Sequence, residues 1–328
     1  MVQNLRKFFA SVKDWTIFCL LVFFGVTLSV SSSLSKTFLE GLGIWANSVL
    51  PTLFPYLVLT ALLNSTNAVS KISAFSSPLF NRAFKVNGGA SYVFLMSVLS
   101  GCPMGAKLTC DLYENKLLSK TEAVRTFCLC QTSSPVFTIS CVGNMMFKNS
   151  LFGLCLFLTN IIACIIVGII FSFYKRKDPP TKSVSLNTQS SSNLLYESIY
   201  SSITTILVVG GFIAIFYLLV KILILLNILT PLINLLTKLV KDKTLSEGIV
   251  LGLFESTGGI KIISQTGFCT FTLPLVCFLC GFGGISVIMQ SVAFIKKCNI
   301  KTARFILAKI TCAVVSFIIG LIFSLVFF

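Results

Sequence analysis

The stretch Ser100-Gly101-Cys102-Pro103-Met104-Gly105-Ala106-Lys107 interrupts an apolar segment with two glycines, a proline and a lysine. Later in the chain, Glu255-Ser256-Thr257-Gly258-Gly259-Ile260-Lys261 does the same. Aligning the two lysines superposes Gly105-Ala106-Lys107 on Gly259-Ile260-Lys261, 154 positions apart. Paired Gly/Pro-broken segments at matching places in two halves are the sequence mark of a transporter binding site built from discontinuous helices.

The surrounding chain has the composition such segments need. Of 328 residues 55% are hydrophobic and only 11% charged, with 31 Phe, too little charge to cover the surface of a soluble domain. Several apolar runs exceed the roughly 18 residues of a bilayer-crossing helix. The chain therefore reads as an all-α polytopic membrane protein embedded in a lipid bilayer. The net charge of +16 reads as topology signal at helix ends, and no basic stripe with interleaved aromatics points to nucleic acid.

Thirteen cysteines and no histidine bound the chemistry. Nearly all the cysteines lie inside apolar runs, where cysteine acts as a small hydrophobe. Cys277-x-x-Cys280 has ligand spacing but no second pair nearby, so no metal and no other cofactor is expected. Without histidine the Ser-His and Cys-His nucleophile arrangements are missing, and the chain does not read as an enzyme.

Working outward, Thr16 to Val30 is an apolar span behind a basic lead, within an N-terminal membrane segment over residues 1–40. A secretory signal shares that pattern, so retention of the first 35 residues stays open. A first unit, 41–174, holds the span Gly41 to Asn64, a polar basic stretch 65–90, the short run Ser91 to Leu99 with its break, a helix opened by the capping box Ser119-Lys120-Thr121-Glu122 and broken at Ser133-Ser134-Pro135, and the span Leu151 to Tyr174. Residues 175–199 form a polar linker around Asp178-Pro179-Pro180. The second unit, 200–328, repeats the order: span Ser201 to Asn227, amphipathic 228–245, short run Ile249 to Phe254 with its break, a segment broken at Gly281-Phe282-Gly283-Gly284, and the span Ala303 to Phe328. This makes about seven crossings plus two re-entrant broken segments, with the two units inverted relative to each other.

With the N-terminus in the cytoplasm, seventeen of the 26 Lys and Arg fall in cytoplasmic segments and five outside, as the positive-inside rule requires. Lys238, Lys241 and Lys243 fall on the wrong side.

Irregular backbone at membrane depth survives only where protein or a wet cavity satisfies it. The half-helices beginning at Gly101-Cys102-Pro103 and at Thr257-Gly258-Gly259 would present free N–H groups to an anion, with Gly105 beside the first and Lys107 and Lys261 close by. Ser133, Ser134, Pro135, Gly281, Gly283, Gly284 and Ser286 would face them. Glu255, an acid inside an apolar run, should be paired, protonated or in a wet cavity. Plainer roles stand beside these: Lys107 could pair with Asp111 along a helix, Lys261 could neutralise Glu255, and the glycines could serve close helix packing. Gln290 could bind either a neighbouring helix or a ligand.

The stretches 100–107, Gly252 to Ile260 and Gly281-Phe282-Gly283-Gly284-Ile285-Ser286-Val287 together resemble the YlbJ-type sporulation integral membrane proteins of the nucleoside-recognition, or Gate, domain superfamily. The resemblance implies an architecture like that of concentrative nucleoside transporters. It also implies movement of a small organic anion, dipicolinic acid, across the outer forespore membrane during sporulation, with the bacterial cell membrane as the other location. Cys102 stands where relatives carry a bulkier residue. A nucleoside-type solute transporter and a non-transporting scaffold for spore formation remain as alternatives, and a homo-oligomer is compatible with either.

Overall fold

A computed structural model describes residues 31–64, 68–175, 193–267 and 269–328. The expected first span Thr16 to Val30 lies outside them, as does most of the linker 175–199. Every regular element among the described residues is helical. Among the described residues five helical stretches are long and apolar enough to cross a membrane: Leu34–Leu63, Ser150–Ser172, Leu194–Leu225, Thr272–Lys297 and Ala303–Phe327. At 1.5 Å per residue each reaches the roughly 30 Å of a hydrocarbon core, with its backbone hydrogen bonds closed internally.

The first described helix departs from expectation. Residues 31–40, read as the tail of a separate N-terminal segment, are helical in α1 (Ser31–Ile44) and continue through a π-helical turn (Trp45–Val49) into α2 (Leu50–Asn64). Three serines at the start of α1 are no obstacle, since that helix packs along the long helix Leu194–Leu225, with Leu34 against Leu218 and Ile222.

Helices α3 (Ala68–Phe84), α4 (Gly88–Ser100), α5 (Met104–Glu114) and α6 (Lys120–Leu129) follow. The capping box at Ser119 and Glu122 is present, and Glu122 also accepts from the Asn87 backbone N–H at 3.0 Å. After residues 130–135 comes α7 (Val136–Met146), wound as a π-helix, and then α8 (Ser150–Ser172).

One face of the molecule is fixed by a buried guanidinium. Arg125, 2% exposed, donates to the carbonyls of Lys85, Tyr174 (3.0 and 2.7 Å) and Lys175 (2.8 Å), which ties the starts of α4 and α6 to the end of α8. The Arg304 guanidinium stacks 3.9 Å above the Tyr174 ring and brings the last helix to the same face. Helix α4 thus enters from this face, and α5 returns to it.

The second half is built from α9 (Leu194–Leu225), α10 (Thr230–Val240), α11 (Lys243–Phe254), α12 (Ser256–Ile263), α13 (Thr272–Phe282), α14 (Gly284–Lys297) and α15 (Ala303–Phe327). Its landmarks lie on the opposite face. Leu245 at the start of α11 and Ile263 at the end of α12 share one apolar cluster with Phe152 and Leu273. Phe152 stacks on Phe147 and meets Phe328, and Ser324 Oγ donates to the Thr270 carbonyl at 2.7 Å. The α11–α12 hairpin therefore enters from the face opposite to the α4–α5 hairpin.

Candidate functional site

Each half supplies two interruptions, and residues from all four line one cavity. In the first hairpin, α4 ends at Gly101, whose φ of +78° suits glycine. A Cβ there would sit 3.0 Å from the Ser134 nitrogen, so the first break lies against the second, where α6 gives way to α7. That second break is held by side chains of its neighbours: Asn160 Oδ1 accepts from the Ser133 N–H at 2.8 Å and Ser97 Oγ lies 2.8 Å from Thr132 Oγ1. In the second half Gly283 and Gly284 have φ of +79° and +73°. A Cβ on Gly284 would lie 3.0 Å from the Phe254 carbonyl and 3.1 Å from the Ser256 nitrogen. The α13–α14 break therefore lies against the α11–α12 break.

Between these two contacts lies a cavity of about 70 Å³, lined from all four breaks by Ser100, Gly101, Cys102, Ser133, Ser134, Glu255, Ser256, Thr257, Cys280 and Gly283. Its wall is completed by Val287, Gln290 and Lys309, with Val49, Leu53, Phe137, Val209 and Ile213 on the apolar side. A space of this size, polar where the breaks meet, has room for a few waters.

Two charges border it. Glu255 is 1% exposed and caps its own helix: Oε1 accepts from the Thr257 N–H at 2.9 Å and Oε2 from the Gly258 N–H at 2.5 Å. The expected free helix N-terminus over 257–259 is thus already occupied by a carboxylate of the chain itself. Lys309, also 1% exposed, projects from α15, with Nζ 3.7 Å from Cys102 Sγ. Among the described residues no carboxylate lies within 4.0 Å of that nitrogen.

Of the residues expected from sequence, the cavity gathers Gly101, Ser133, Ser134, Glu255, Thr257 and Gly283. The others stand back from it. Pro103 and Lys107 border a neighbouring cavity of about 440 Å³ shared with Gln290, where Lys107 Nζ meets Ser201 Oγ at 3.3 Å. Lys107 and Asp111 form no ion pair within 4.0 Å. Lys261 is exposed and is not the partner of Glu255. Pro135 opens the α7 helix without reaching the cavity wall. Ser286 is buried with its hydroxyl unpartnered among the described residues.

Gly105, Gly258, Gly259 and Gly281 lie within helices, and three of them serve packing. A Cβ on Gly105 would run into the Cys130 carbonyl, one on Gly259 into Gly252, and one on Gly281 would lie 2.7 Å from Ser316 Oγ. The second hairpin breaks at Glu255, before the glycine pair.

The cysteines are mainly the buried small residues expected, with one correction. Cys110 and Cys298 form a disulfide, Cα atoms 6.1 Å apart across 188 positions. No local spacing could reveal a pairing that depends on how the two halves fold together.

What sequence reasoning missed as a site residue is Lys309. It lies inside a long apolar run, and a charge there costs about 3 kcal/mol or more at bilayer depth. That cost was the available signal.

Broken helices enclosing a central polar cavity, in a chain of long apolar helices, define a multi-pass integral membrane protein. Among known proteins, the chain is similar to the sporulation integral membrane protein YlbJ of Bacillus subtilis (strain 168), 29% identical over 302 residues, 84% of this chain and 73% of the relative. That similarity supports reading the chain as a YlbJ-type protein. No family model matches the chain, and no solved structure matches it.

Proposed function

We propose that the protein is a carrier for a small organic anion, with dipicolinic acid moved across the outer forespore membrane during sporulation as the specific reading. The observation that carries it is the convergence of four helix breaks on one cavity beside a buried ammonium with no carboxylate within 4.0 Å among the described residues. A buried cation with no carboxylate in direct contact is costly, and an entering carboxylate that reaches it would reduce that cost. The Ser133, Ser134 and Thr257 hydroxyls would bond the rest of the anion. The relative's name places it in sporulation and in the membrane, which agrees with this reading. In this reading the linker and the N-terminus lie on the cytoplasmic side, which the excess of Lys and Arg in those segments supports.

A second reading has its own observation. Glu255 and Lys309 line one cavity, so its formal charges balance, and a neutral polar solute such as a nucleoside would also find donors and acceptors there.

Uptake of radiolabelled dipicolinate into proteoliposomes, against empty liposomes, tests the proposal. Protein-dependent uptake that unlabelled dipicolinate competes and uridine does not is the expected result. Competition by uridine alone would replace it with the nucleoside reading. Loss of both would leave the scaffold role.

A further inference from the structure

The disulfide Cys110–Cys298 sits away from the central cavity, and nothing in the carrier reading uses it. Cys110 is on α5, eight residues after Cys102, and Cys298 caps α14, eight residues after Gln290. Cys102 and Gln290 both line the cavity. The bond thus joins the returning arm of the first hairpin to the second-half helix that forms the opposite wall, and it does so covalently between the two halves of the molecule.

Both sulfurs are buried, Cys110 at 1% and Cys298 at 6% exposure, beneath a charged edge of the molecule. Glu114 Oε1 stands 3.8 Å from Cys110 Sγ, and Lys297 Nζ pairs with Glu114 at 3.4 Å. Cys298 is 6% exposed and is followed by Asn299 at φ +54° in an exposed turn. The pair lies on the linker face, the one with the basic excess expected on the cytoplasmic side, where disulfides are reversible redox devices more often than permanent braces.

We propose that Cys110 and Cys298 form a reversible dithiol–disulfide switch that governs access to the central cavity. In the oxidising direction the Cys298 thiolate attacks a low-molecular-weight disulfide RSSR, forming a mixed disulfide and releasing RS⁻. The Cys110 thiolate then attacks the Cys298 sulfur, closes the bond and releases a second RS⁻. Two electrons pass to RSSR, and the two cysteine protons end on the two RSH molecules. A small dithiol reverses the exchange. Oxidised, α5 is locked to α14 and the first hairpin cannot leave the cavity. Reduced, that hairpin can move.

Cys102 provides a native reporter, being partly exposed and in the cavity wall, with exposed Cys269 as the internal control. Purified full-length protein is equilibrated with glutathione disulfide or with dithiothreitol, freed of the reagent and pulsed with a maleimide. Peptide mass spectrometry then follows Cys102, Cys269, Cys110 and Cys298. In oxidised protein Cys110 and Cys298 are expected to stay unlabelled and Cys102 to label about tenfold more slowly than in reduced protein, as a local opening is suppressed. Cys269 should label equally in both. The single variant Cys298→Ser should show the fast Cys102 rate under either treatment. Free Cys110 and Cys298 after oxidation would overturn the switch. Equal Cys102 rates in oxidised and reduced wild-type protein would do so too, showing a static brace, and that comparison needs no variant to fold. The readout is independent of solute, so failure of the carrier reading leaves it standing.

Discussion

Lys309 Nζ lies 3.7 Å from Cys102 Sγ, so the last helix places a buried ammonium against the first helix break, 207 positions earlier. Lys309→Met keeps the length of the stem and removes the charge. Dipicolinate uptake is expected to fall by about tenfold or more, the loss of roughly 1.4 kcal/mol or more of anion binding. Thermal unfolding should be unchanged or slightly later, because the variant no longer buries an unpaired charge. Uptake at the wild-type level would remove Lys309 from the site.

Glu255 does two things at once, capping α12 and contributing charge to the cavity. Glu255→Gln keeps an oxygen acceptor for one of the two N–H groups, whereas Glu255→Ala leaves both unmet. The alanine variant is expected to lose about 1–3 kcal/mol of stability and the glutamine variant less, read as the order of melting temperatures in detergent. Equal melting temperatures would mean that the carboxylate cap does not hold the second hairpin.

Close approach of α11 and α12 requires a bare backbone at Gly259, where a Cβ would meet Gly252. Gly259→Leu should force the hairpin apart and give little folded protein, beyond the roughly 1–3 kcal/mol of ordinary overpacking. Gly211, where an added Cβ meets nothing within 4 Å, is the control: Gly211→Ala should express and melt like wild type. Size-exclusion profiles of the two variants compare them directly.

Lys107 and Lys261 stand off the cavity, one bonded to Ser201 and the other exposed. Lys107→Ala and Lys261→Ala are each expected to keep uptake within about threefold of wild type, less than the roughly 1.4 kcal/mol that a tenfold loss requires. A tenfold loss in either would move the anion path towards that lysine.

Much of this architecture is legible in the chain because its signals are local. Long Leu, Ile and Phe runs announce the spans, Ser119 and Glu122 the helix start, and Gly101-Cys102-Pro103 and Gly281-Phe282-Gly283-Gly284 the breaks. The site is less legible because neighbours in space decide it. Gly258 and Gly259 look like a break but are helical, since Glu255 ends the preceding helix and caps the next. Lys107 and Lys261 match in sequence, yet rotation about their helices turns them away from the cavity. Lys309 has no motif around it, and only its position on α15 against Cys102 gives it a role.

The most direct test is equilibrium binding of radiolabelled dipicolinate to purified protein, comparing wild type, Lys309→Met and Lys107→Ala. The account predicts saturable binding in wild type and in Lys107→Ala, and loss of it in Lys309→Met with folding intact. Binding retained by Lys309→Met would contradict it and would place the anion somewhere other than the cavity where the four breaks meet.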